Sequence, residues 1–107
     1  MVKLNLNFKI TDRKGTPIKD SDSELMANEV VAAILENPTE DIMKDPLKLL
    51  KRNKLVKGLY DGKIPQVESQ EVESIEKAVS GSYLKLFISA QILEKIEELK
   101  EKAKKEE

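Results

Sequence analysis

The chain has no cysteine, no histidine and no tryptophan. Without cysteine there is no disulfide, no thiolate metal site and no sulfur nucleophile. Without histidine there is no imidazole to serve as a general base near neutral pH or to ligate a transition metal. Together the two absences exclude structural zinc, Ser-His-Asp and Cys-His chemistry, and most transition-metal catalysis. Aromatic residues number four, Phe8, Tyr60, Tyr83 and Phe87, so the core has to be assembled from Leu, Ile, Val, Ala and Met. Long apolar runs are missing as well. Nothing approaches the roughly 20 apolar residues that span a bilayer, and Met1-Val2-Lys3-Leu4-Asn5 alternates in polarity instead of opening a signal-peptide block. A cytoplasmic protein with no membrane partner is the expectation.

What the chain does have is charge. Charged residues make up 36% of its 107 positions, above the usual share of about 25%. The excess is largely Lys and Glu, which suits solvated helical faces. A chain of this length is expected to be one domain, residues 1–107, with a single core. Its net charge of −1 provides no global attraction to nucleic acid or membrane.

Residues 2–10 alternate, with Val2, Leu4, Leu6, Phe8 and Ile10 on one face and Lys3, Asn5, Asn7 and Lys9 on the other. A period of two marks a half-buried strand. Thr11-Asp12-Arg13-Lys14-Gly15 supplies an Asp and a left-handed Gly for a bulged hairpin turn. The return strand, Thr16 to Lys19, carries Pro17 and is therefore confined to an edge. A hairpin over 2–19 is predicted, packed on helices because two strands alone are marginal.

Helices are predicted over about 22–36, 46–60, 69–80 and 83–104. Ser21-Asp22-Ser23-Glu24 fits a capping box for the first, and Asn37-Pro38 ends it. Thr39 caps a short turn through Ile42 and Met43. Asp45-Pro46 reads as an N-cap with proline at the first helical position, and Gly62 as the stop. The last helix is expected to fray in its charged tail. The fold class is α+β and mostly helical: an N-terminal β-hairpin packed on a bundle of about four helices.

Residues 21–43 hold six acids and no base, whereas residues 44–63 hold seven bases against two acids. Lys48, Lys51, Arg52, Lys54 and Lys57 form a candidate basic patch that could meet phosphate or an acidic protein surface; the plainer reading is a solvated helix face. Glu68, Glu71, Glu73 and Glu76 read as acids that complement a helix N-terminus, not as metal ligands, since Glu71 and Glu73 cannot share a helical face. Gly58, Gly62 and Gly81 form no phosphate-binding loop; they read as a close-packing position, a cap and a helix break. Ser80 and Ser82 have no base to activate them. No catalytic residue, cofactor or metal ligand is assigned. In the last helix Leu86, Leu93 and Ile96 fit part of a heptad seam and form a candidate surface for a protein partner or a homodimer.

Three stretches resemble small uncharacterised proteins encoded in tailed-phage and prophage genomes. These are Phe8-Lys9-Ile10-Thr11-Asp12 with Gly15-Thr16-Pro17-Ile18, then Leu59-Tyr60-Asp61-Gly62-Lys63, then Val67 to Ile75 followed by Tyr83 to Glu94. The acidic segment before Asp45 and the charged tail depart from that pattern. The resemblance implies a phage or prophage context and a host-cytoplasm location, and it transfers no functional residues. The function expected is a non-enzymatic accessory protein that binds another protein. The alternative is a nucleic-acid-binding module using the basic 44–63 segment.

Overall fold

The structure, a computed structural model, describes residues 1–106. The elements run β1 (Val2–Lys3), β2 (Lys19–Asp20), β3 (Ser23–Glu24), α1 (Ala27–Leu35), α2 (Glu40–Met43), α3 (Pro46–Tyr60), β4 (Gln66–Val67), α4 (Ser69–Ser80) and α5 (Leu86–Glu106). The architecture is α+β and mostly helical.

The alternation in residues 2–10 does set burial: Val2, Leu4, Leu6 and Ile10 are buried while Lys3, Asn5, Asn7 and Lys9 are exposed. It does not make one hairpin strand over 2–10. β1 pairs antiparallel with the distant β4, Val2 opposite Val67 and Lys3 opposite Gln66, and the Leu4 amide extends the ladder to the Pro65 carbonyl at 2.8 Å. Only the far end of the segment joins the turn foreseen in the sequence. There Asp12 Oδ1 accepts from the amides of Lys14 (2.9 Å) and Thr16 (3.0 Å), and Gly15 sits at φ +86°, where a residue without Cβ is favoured. Alternation reveals which side chains go inward, not which strand lies alongside.

A cyclic set of backbone bonds closes this corner. Ile10 donates to the Leu25 carbonyl (2.9 Å), Leu25 to that of Ile18 (2.7 Å), and Ile18 to that of Ile10 (3.0 Å). Three chain segments are thereby tied together by their main chains. This ring explains why the first helix begins at Ala27 and not near residue 22. Leu25 is committed to strand pairing, and β2 and β3 fold into a small hairpin around Ser21, which has φ +59°. Glu24, assigned by sequence to a capping box, instead pairs with Lys9 Nζ at 2.6 Å. Met26 occupies the N-cap position without a side-chain cap.

The later boundaries follow local chemistry. Asp45 Oδ1 accepts from the amides of Leu47 (3.1 Å) and Lys48 (3.3 Å) ahead of Pro46. α3 ends in a Schellman arrangement, with Lys63 N bonded to Gly58 O (2.9 Å), Gly62 N to Leu59 O (3.1 Å), and Gly62 at φ +73°. Thr39 precedes α2 through its carbonyl, not its hydroxyl. α5 starts at Leu86, three residues later than expected, and stays helical to Glu106 instead of fraying from Lys100. Leu99 and Ala103 pack against the core, and Lys100 Nζ bridges Glu76 Oε1 (3.2 Å) and Glu97 Oε1 (3.0 Å).

α1 packs on α3 and α4, α4 on α5, and α5 on β1. One apolar cluster joins the N-terminal segment to α1, α3, α4 and α5. Two buried polar side chains cross it. Asn28 Nδ2 donates to the Leu59 carbonyl at 2.7 Å, and Arg52 links α3 to α4. No helix among the described residues is long and apolar enough to cross a membrane.

Candidate functional site

α3 is held at both ends by its caps and on one side by the core, which leaves its outer side to solvent. At 3.6 residues per turn the inward stripe is Arg52, Leu55, Val56 and Leu59. Leu47 and Leu50 fall on the opposite side and are 80% and 67% exposed. Met43, on the neighbouring α2, is also exposed. Lys48, Lys51, Lys54 and Lys57 are exposed along the same helix, and none of them forms an ion pair among the described residues.

The fifth member of the expected basic patch is elsewhere. Arg52 is 5% exposed, its Nε 3.1 Å from Glu71 Oε1 and its Nη2 3.0 Å from Ser74 Oγ. A guanidinium satisfied in this way is an internal strut between helices, because its removal strands a partner carboxylate. The patch is therefore four lysines.

The expected surface on α5 also divides. Ile96 is fully buried, Leu93 is half-buried against the core, and Leu86 is 75% exposed near the exposed Tyr83. Ile96 is enclosed within the molecule, where α5 packs against β1 and α4, while Leu93 keeps part of its surface open. Beside Leu86, the Phe87 ring lies under the Arg13 guanidinium at 5.9 Å.

A groove of about 600 Å³ opens between α3 and the segment that carries β4. Lys51, Lys54, Lys57 and Gly58 line one side, and the stretch from Ile64 to Glu68 the other. Gly58 was read from sequence as a close-packing position, and the structure corrects that. A Cβ built on Gly58 meets nothing within 4 Å. A glycine inside a helix costs on the order of 0.5–1 kcal/mol relative to alanine, and here no neighbour demands it.

Of the four glutamates around α4, Glu71 pairs with Arg52 and Glu76 with Lys100, while Glu68 and Glu73 point to solvent. Among the described residues no three acids converge in a way that could hold a metal ion.

The exposed Leu47 and Leu50 are not among the candidate residues that the sequence motifs single out. The signal was present: the spacing 52, 55, 56, 59 marks one face, and both leucines lie off it. Arg52 on that face disguised the pattern. Compared with known proteins, the chain matches no family model, no curated protein and no solved structure.

Proposed function

We propose that this protein acts by binding another protein through the outer face of α3, and that it performs no reaction of its own. The observation that carries the reading is the pair of exposed leucines, Leu47 and Leu50, flanked by lysines that form no ion pair among the described residues. Large apolar side chains grouped on a surface and rimmed by charge mark interaction sites. Aliphatic anchors with a basic rim suit a protein surface that is apolar at its centre and acidic around it. The phage or prophage context that the resemblance implies is compatible with an accessory role in a host cytoplasm. Genes flanking this one are then expected to encode virion or replication proteins.

The test is Leu47→Ser with Leu50→Ser. Both residues face solvent, so the thermal midpoint should hold or rise while capture of the partner from the native source is lost. Unchanged capture sinks the reading. A second reading, binding to nucleic acid, is favoured by the row of Lys48, Lys51, Lys54 and Lys57. It requires salt-sensitive binding that weakens in Lys51→Glu/Lys54→Glu, and it does not account for the leucines. Self-association through Leu86 and Tyr83 would show as a sedimentation coefficient that rises with concentration and stops rising in Leu86→Glu.

A further inference from the structure

We infer that the groove between α3 and β4 is a strand-addition site, which takes an extended, acidic segment of the partner protein. The inference rests on the protein-binding reading and deepens it. Its first support is the ladder itself. β1 and β4 are antiparallel, with Leu4 N bonded to Pro65 O and Val2 opposite Val67. In such a ladder residues two apart turn their backbone groups to the same edge. Pro65 and Val67 therefore face β1, while Ile64, Gln66 and the amide of Glu68 face away from it. Among the described residues no hydrogen bond outside the β1–β4 ladder engages the amide or carbonyl of Ile64 or Gln66, or the amide of Glu68, and within that ladder Lys3 and Gln66 form a non-hydrogen-bonded pair. The whole stretch from Ile64 to Glu68 lines the groove, with Met1 beside it, whereas Val2 and Lys3 do not. An open edge of this kind is a template for a further strand.

The second support is Gly58, across the groove. A Cβ there would meet nothing within 4 Å, so an alanine would fit and stabilise the helix. The missing side chain leaves room beside the strand edge, which is what a third strand needs. The third is charge. Lys51, Lys54, Lys57 and Lys63 line the groove against Asp61 and Glu68, with Glu71 already neutralised by Arg52. An excess of two positive charges selects for carboxylates on the incoming segment.

The experiment uses the full chain and a capped eight-residue peptide alternating Glu and Val, at low salt. Saturating peptide is expected to slow hydrogen exchange at the Gln66 amide at least tenfold. N-methylation of alternate peptide residues is expected to weaken binding at least tenfold in one register and much less in the other, because only one row of amides faces β4. Gly58→Gln should fill the groove and reduce affinity at least tenfold while the thermal midpoint is retained. Lys51→Glu/Lys54→Glu should transfer the preference to a peptide alternating Lys and Val. The strand-addition site is overturned by an absence of peptide binding, by equal binding of both N-methylated registers, or by a Gly58→Gln protein that binds as before. It is overturned equally by single-stranded DNA competing for the groove more strongly than the peptide. In those cases the broader reading still stands or falls separately, on whether Leu47→Ser/Leu50→Ser loses the partner.

Discussion

Gln91 shows how much one side chain can determine that no motif announces. Its Oε1 accepts from the Thr11 amide (3.0 Å) and hydroxyl (3.2 Å), and its Nε2 donates to the Thr11 carbonyl (2.7 Å). A primary amide thus replaces a neighbouring strand and ties α5 to the base of the turn. Gln91→Ala leaves a part-buried N–H and C=O without partners, so a loss of about 1–3 kcal/mol is expected in urea unfolding. A loss no greater than that of an exposed Gln70→Ala control would refute the role. Arg52 carries the same lesson for the basic patch. In sequence it is one cation among several, and its bonds to Ser74 and Glu71 on the facing helix set it apart from Lys51. The spacing 52, 55, 56, 59 puts this cation on the inward face; what spacing does not reveal is the partner 19 residues away that satisfies it there.

Elements bounded by local chemistry were readable, and elements bounded by distant pairing were not. Asp45-Pro46 and Gly62 delimit α3 by cap geometry alone. Ser21 and Glu24 offer equally good capping chemistry, yet the backbone ring of Ile10, Ile18 and Leu25 draws that segment into strands. Asp45→Ala is therefore expected to cost about 1 kcal/mol, and Ser21→Ala to stay within about 0.5 kcal/mol of the parent. Equal losses in thermal unfolding would restore the cap at Ser21. The α4–α5 contact has an electrostatic signature of its own. The hydrogen bond and charge of Lys100 hold the Glu97 carboxyl below its ordinary 4.5. Hydrogen bonds to Glu97 and Glu76 raise the Lys100 ammonium above its ordinary 10.5. Glu97's contribution is present above pH 4.5 and fades as pH falls through its lowered folded value. That of Lys100 is present below pH 10.5 and fades as pH rises through its raised one. Lys100→Ala should lower the urea midpoint slightly between those limits and converge on the parent outside them. A deficit that persists unchanged at about pH 2 would mean that packing, not charge, is what the variant lost.

At the scale of the molecule, the N-terminal segment holds the fold together. Its first residues pair with β4, its last with the turn and the entry to α1, and its apolar row lies in the same cluster as four helices. The alternating pattern disclosed the inward row. It could not disclose that the partners lie some 60 residues away, as Val2 and Val67 do, because pairing at that separation leaves no local trace. If one cluster is shared in this way, no helix pair retains a core once the segment leaves. Leu6 and Ile75 are both fully buried, on the segment and on α4. Leu6→Ala and Ile75→Ala should each cost about 2–5 kcal/mol. In both variants far-UV circular dichroism and hydrogen exchange of α4 and α5 amides should report one coincident transition. Retention of protected α4 and α5 amides after Leu6→Ala has released residues 2–10 would divide the molecule into two folding units, with a helical core that stands without its strand. The groove between α3 and β4 would then lose its β4 wall first, since that wall is anchored by β1, and peptide binding should disappear at lower urea than helicity does.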